Sequence, residues 1–478
     1  MYFKNLGSDH FVHLGLVSKL NGISQKWRPN NFLFYNQKNS HYPFFYHLIL
    51  AVFFPKTANK SPHKFLIFEN ILKVLFFNLF LISLDFKLFD QVLMNLVYVT
   101  FPFSYLFWNA KNRGLSVRNF GILLVHLFLY MIFYYVKVGD IIYLFGAITT
   151  SFVILISSIF AFQYILLFSL IFGVLFTSNE IFCIPFVVCA FFGFINPKLS
   201  KSYFIGQFNH KWNYYRYLRE IYLFNRRKSI FGDFIYGFFK KMISKESTLV
   251  EKLYYIYSNP IIEFIYGFPF LWLIYVLNKD LLFSQSILNQ ILVVTLFIFF
   301  IICFRPLRFL GEPQRYLEFI TPFISILFIS ETTITIQIIA LSLAVFFIVA
   351  TRLVFKKFSH VAGGIPPTLI KSVKSTYQQE DILISNELNF AKYFSDHCNI
   401  VRTDLTILYR TKSEFDFYHT QNYSILSSQG ILKLIQENKV TGLIINTKLY
   451  SEKELQVLLD SLKTVLVFES FNYKFFRL

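Results

Sequence analysis

Between two long apolar runs, the stretch Arg305-Pro-Leu-Arg-Phe-Leu-Gly-Glu-Pro-Gln-Arg-Tyr-Leu-Glu-Phe319 gathers three arginines and two glutamates. Ionised side chains at the edge of a bilayer are costly unless they meet water, a partner charge or a ligand, which makes this segment a candidate site. A guanidinium clamps a phosphate through paired N–H groups, and an adjacent carboxylate can hold it in the right orientation. Arg305, Arg308 and Arg315, with Glu312 and Tyr316 beside them, therefore suit a phosphodiester or pyrophosphate better than a neutral sugar. Glu312 and Arg315 stand one helical turn apart if the segment is helical, although Pro313 breaks or starts the helix between them. The plainer alternative is a basic loop that snorkels to the interface.

A second constellation, Ser8-Asp9-His10-Phe-Val-His13, places a carboxylate beside imidazoles. Asp9 there can accept a proton from an acceptor hydroxyl while His10 tunes its charge. Asp9 after Ser8 can equally cap a helix over residues 11 to 20. Further on, His41-Tyr42-Pro43 and His47 sit near the membrane edge without cysteine or carboxylate companions at ligand spacing, so the spacing predicts no metal site. The cysteines Cys183, Cys189, Cys303 and Cys398 form no CxxC pair, which supports neither a zinc site nor a disulfide framework.

The elements that must position these residues are apolar helices. With 55% hydrophobic residues, 15% charged residues and a mean hydropathy of +0.50, the composition lies outside that of ordinary soluble domains, which carry about 25% charge. Spanning a bilayer takes about 20 apolar residues. The pattern predicts about ten spans, at residues 66–84, 90–108, 119–136, 141–158, 160–176, 181–195, 261–277, 287–304, 317–330 and 334–351. Residues 42–55 are too short to span and are expected to lie along the interface or against the bundle. The 64 Phe and 30 Tyr are spread over the whole length and carry no functional signal of their own.

Numbering the connections from span to span puts every long loop, both constellations and the C-terminal tail on one face. Twelve Lys and Arg fall within residues 197–260 alone, against Lys87, Lys137 and Lys279 in all loops of the other face. The net charge of +19 thus gathers in loops rather than in a nucleic-acid-binding stripe, and membrane lipids or a phosphate-bearing substrate are the expected partners. Residues 1–64 form an N-terminal region, 65–357 the membrane bundle and 370–478 a small α/β domain after the Gly363-Gly-Ile-Pro-Pro367 linker. In that domain residues 382–384, 443–446 and 465–468 read as buried strands, and residues 386–394, 429–437 and 451–462 as helices, the last opened by a Ser451/Glu454 capping box. Alternation of strands and helices suggests a parallel sheet, and no glycine-rich phosphate loop opens any of its helices. The fold class is mainly α: a polytopic bundle with a small soluble α/β domain.

In this arrangement the chain resembles the GT-C superfamily of membrane glycosyltransferases. Asp9 is similar to its acidic position in the first long loop, His41-Tyr42-Pro43 to its jaw segment, and Arg315-Tyr316 through Pro322 to its late Arg-Tyr motif before a proline-bearing helix. The resemblance implies inverting transfer of a sugar from a polyprenyl-phosphate donor to a glycan, lipid or protein acceptor. Asp9 would be the base, and Arg315, helped by Arg305 or Arg308, would stabilise the departing phosphate. It leaves a divalent metal open as a cofactor, since some members use one. It also places the active face outside the plasma membrane, against the vote of Lys111, Arg113 and Arg118 in a short loop. Members ordinarily begin with a span before the acidic loop, and Asp9 stands almost at the start here. A flippase of lipid-linked saccharides and a polysaccharide polymerase or ligase are the competing readings.

Overall fold

A computed structural model describes residues 12–17, 43–54, 62–100, 116–213, 243, 260–311, 313–358, 367–378, 380–387, 390, 392–394, 397–401, 417–418, 426–462, 465–470 and 472–478. Most of them are helical. After a helical segment at residues 12–17, the N-terminal half holds α1 (Phe45–Phe53), α2 (Pro62–Ser83), α3 (Leu88–Val99), α4 (Val117–Val138), α5 (Ile141–Ser157), α6 (Ile159–Leu175), α7 (Asn179–Ile195) and α8 (Pro197–Asn213). Two helical segments, Lys64–Ser83 and Val117–Val138, are long and apolar enough to cross a membrane. Shorter apolar helices accompany them, α3, α5, α6 and α7 among these.

Local sequence sets where these helices begin and turn. The Ser116 hydroxyl accepts from the Arg118 N–H at 3.2 Å and opens α4. Gly139, at φ +77°, closes α4 in the left-handed conformation that glycine adopts without steric cost. Asp140 then caps α5 by accepting from the Ile142 N–H at 2.9 Å, so two residues reverse the chain. Residues along α2 and α4 meet in register, Asn70 with Asn119, Phe80 with Tyr130 and Ser83 with Tyr134, so these helices run side by side in the same direction. Phe77, Phe128, Phe168 and Phe172 fill the core between the helices.

Two expected spans are broken. Residues 261–277 divide into α9 (Pro260–Gly267) and α10 (Pro269–Leu277), because Pro269 supplies no N–H and starts a new helix. Then follow α11 (Ile287–Cys303), a 3-10 turn at Arg305–Leu310 and a second at Pro313–Ile320. Where a span was expected over 317–330, the helix α12 (Thr321–Glu331) starts only at the Thr321-Pro322 step, and α13 (Ile334–Phe358) follows it. The tighter winding of 313–320 buries Tyr316, Leu317, Phe319 and Ile320 together.

The C-terminal part holds α14 (Pro367–Thr376), β1 (Ile382–Ser385), β2 (Asn399–Ile400), α15 (Ser428–Asn438), β3 (Gly442–Asn446), α16 (Glu452–Asp460), β4 (Val465–Ser470) and β5 (Tyr473–Arg477). The strand order is β2-β1-β3-β5-β4. Only β1–β2 and β1–β3 are parallel, whereas β5 pairs antiparallel with both β3 and β4, so the sheet is mixed rather than parallel as expected. The cause is the short β4–β5 connection, which permits a hairpin and not a crossover. The Ser451/Glu454 capping box forms in full at the start of α16. The helix expected over 386–394 is represented by Phe390 and a short 3-10 turn at Lys392–Phe394.

Candidate functional site

The second 3-10 turn brings Glu318 against the first turn of α4, where both carboxylate oxygens accept from Arg118. Arg118 Nε donates to Oε2 at 3.1 Å, and Nη2 donates to Oε1. The two side chains are 9% and 10% exposed, so this fork-to-fork pair is sheltered from water. Glu318 also faces the Arg315 guanidinium and the Lys73 ammonium. Lys73, from α2, donates to the Asn119 side-chain oxygen at 2.8 Å. One turn earlier the buried Glu69 faces Lys73, Tyr46 of α1 and Asn119. Three cations thus meet two carboxylates between α2, α4 and the 313–320 turn, a cluster with one formal positive charge to spare.

Arg118 Nη1 and Glu69 Oε1 are buried without a partner among the described residues. Such groups carry the full desolvation cost of about 1–3 kcal/mol each until something bonds to them. One is a donor on a cation and the other an acceptor on an anion.

Tyr316 is fully buried behind this cluster. Its hydroxyl accepts from the Gln163 side-chain amide of α6 and donates to the Leu310 carbonyl at 3.0 Å. Gln163 also donates to the Leu310 carbonyl, so one side chain ties Tyr316 to the end of the first 3-10 turn. Tyr316 is therefore a brace that fixes the turn carrying Arg315, not a group presented to a substrate as expected from the sequence. From the other side, Lys211 at the end of α8 donates to the Phe309 carbonyl at 3.4 Å.

Arg315 is half-buried within the cluster, and Arg305 and Arg308 lie on the adjoining 3-10 turn. Asp9, His10, His41, Tyr42 and Glu312 lie outside the described residues. Their neighbours are placed, however: His13 Nδ1 and His47 Nε2 are 2.9 Å apart, with rings stacked at 5.1 Å between centroids. This joins the segment that follows Asp9 to the helix that follows His41. Burial first, and then the adjacent His13, hold the His47 imidazole well below its usual value. Tyr46, the neighbour of His47, reaches the Glu69 side of the charged cluster. Among the described residues no three His, Cys, Asp or Glu gather to hold a metal ion. The two imidazoles alone do not make a ligand set.

Sequence reasoning missed Glu69, Lys73, Gln163 and His126, and counted Arg118 only as a basic loop residue. A signal existed in the i, i+4 spacing of Glu69 and Lys73 within an apolar helix, where ionisable residues face a partner or a cavity. His126 is buried further along α4, with its Nδ1 3.5 Å from the Tyr98 hydroxyl, and faces Lys73 and the Glu318 backbone. No protein-family model matches the chain, and no curated protein is similar to it in sequence.

Proposed function

We propose that this chain is a multi-pass membrane glycosyltransferase of the GT-C type that takes a sugar from a polyprenyl-phosphate donor. The observation that carries the reading is the Arg118–Glu318 fork with Arg315 and Lys73 beside it. Glu318 orients the cations in advance, and groups held that way stabilise charge growing on a leaving phosphate without reorganising. About ten spans deliver the chain to one face, and the seventeen-residue helices α5, α6, α7 and α11 are each about 25 Å long at 1.5 Å per residue, near the lower limit for spanning.

In the proposed reaction Asp9 takes the proton of the acceptor hydroxyl, whose oxygen attacks the anomeric carbon. The bond from that carbon to the phosphate oxygen breaks, and the phosphate leaves with the electron pair toward Arg315. Arg305 and Arg308 follow on the adjoining turn. Tyr316, Gln163 and Glu318 position the arginines rather than touch the sugar. The acceptor is a glycan, lipid or protein hydroxyl, and the site faces the outside of the plasma membrane.

Binding of polyprenyl phosphate to the protein in nanodiscs, read by native mass spectrometry, tests the phosphate grip. Arg315→Gln is expected to weaken binding about tenfold or more, as loss of one charge-assisted pair does, while Lys279→Gln on the opposite face leaves it unchanged. Equal binding by both variants and the parent would remove the assignment. A second reading, a flippase of the same lipids, is favoured by one observation: His126, which faces Lys73, lies roughly 14 Å along α4 from its start, deeper than a surface reaction requires. Cleavage of the donor separates the two.

A further inference from the structure

In the α/β unit, α14, Phe390 and the 392–394 turn cover one face of the sheet, packing Val373, Tyr377, Phe390 and Phe394 on Leu383, Ile400, Ile444 and Phe475. The helices α15 and α16 cover the other, packing Ile431, Leu434 and Leu458 on Ile382, Ile384, Leu443 and Ile445. The chain leaves β1 for β2 on one side and returns past β1 to β3 on the other. That reversal makes the carboxyl ends of β1 and β3 the switch point of the sheet, the place where open α/β sheets bind ligands.

The residues at those strand ends are polar and prearranged. Buried Asn386, just after β1, donates to the Asn446 carbonyl at 3.0 Å and accepts from the Asn446 N–H at 2.8 Å, which locks the two ends together. Next to it, Glu387 Oε2 accepts from the Asn446 side-chain amide at 3.1 Å and from the Tyr473 hydroxyl at 2.8 Å. Tyr473 opens β5 at the same end of the sheet, and Phe390 stacks on its ring at 4.1 Å and 18°. Burial and the Glu387 carboxylate raise the phenol of Tyr473, so it remains a donor. Glu387, Asn446 and Tyr473 are all half-buried, and among the described residues no cation pairs with Glu387.

We infer that the carboxyl ends of β1 and β3 form a saccharide-binding site, in which Glu387 accepts from sugar hydroxyls and Asn446 and Tyr473 flank it. A carboxylate that spends one oxygen on internal donors offers its other oxygen to adjacent hydroxyls. The Ser385-Asn386-Glu387 turn has no glycines to cradle phosphate, and its charge repels one, so the chemistry favours a neutral sugar over a nucleotide. This goes beyond the transfer reading and does not depend on it.

The test is saturation-transfer NMR on the full chain in nanodiscs free of sugar detergents, with defined glucose, mannose, galactose and N-acetylglucosamine oligosaccharides as probes. The parent is expected to bind at least one of them, and Glu387→Gln to weaken that binding about tenfold or more, the loss of a hydrogen bond to a charged group. Tyr473→Phe, which keeps the Phe390 stack, is expected to weaken it less. Absence of sugar binding by the parent, undiminished affinity in folded Glu387→Gln, or preferential binding of adenosine would each overturn the assignment. Arg315→Gln is expected to leave sugar binding intact, so failure of donor transfer and failure of this site read out separately.

Discussion

Breaking the Arg118–Glu318 pair offers the sharpest physical test of the cluster. Glu318→Ala leaves a guanidinium with 9% exposed side-chain surface without its two acceptors. Removing one partner of a buried pair costs about 3–5 kcal/mol, because the remaining charge is stranded. Arg118→Ala strands Glu318 in the same way, although Arg315 and Lys73 beside it soften that loss. The double variant Arg118→Met with Glu318→Leu removes both charges and fills their volume. It is expected to recover most of the stability and to give a coupling energy above about 2 kcal/mol in a double-mutant cycle. The assay is denaturant-driven unfolding of the protein in mixed micelles, followed by intrinsic fluorescence. Single losses below about 0.5 kcal/mol, the scale of an exposed pair, with an additive double variant, would refute the claim that the pair is buried and coupled.

His47 is held below its ordinary value of 6.5 by burial and then by His13. The unfolded chain therefore binds the proton more readily, and stability is fully present above about pH 6.5 and falls as pH drops; pH-dependent melting should show this loss and His47→Leu should diminish it. At the start of α16, Ser451→Ala is expected to cost about 1 kcal/mol as a lost cap, measured by thermal unfolding. Glu454 lies below its ordinary 4.5, chiefly through the Ser451 backbone N–H, so its contribution is present above about pH 4.5 and lost on acidification. Gly173→Ala would put a methyl 2.5 Å from Phe182 Cβ and 2.9 Å from the Ser178 carbonyl, forcing the α6–α7 turn apart; a lowered melting temperature is expected, and an unchanged one would show that the turn yields freely.

The helices and three strands were legible because their signals are local. Apolar runs, the Ser451/Glu454 box and the strand patterns each act within a few residues, and the structure places helices or strands over most of them. Prolines marked the breaks imprecisely. Pro269 split one expected span and Pro322 delayed another, since a proline tells where a helix can start but not how the preceding residues wind. The hairpin that turns the sheet mixed is a matter of connection length, and the sequence pattern assigns no strand to β5. The site was half legible. Its arginine-rich segment stood out by composition, whereas its partners Glu69, Lys73 and Arg118 are some 200 residues or more away and come together only through the parallel course of α2 and α4. No local pattern states which polar residues on separate apolar helices will meet.

Bond cleavage separates a glycosyltransferase from a carrier of the same lipid. Purified protein in liposomes would be supplied with polyprenyl-phosphate sugars labelled in the sugar, and the release of free polyprenyl phosphate measured together with label passing to a hydroxyl acceptor. Release and transfer are expected in the parent, with loss of both in Asp9→Asn and Arg315→Gln. Movement of the intact labelled lipid across the bilayer without any cleavage would contradict glycosyl transfer.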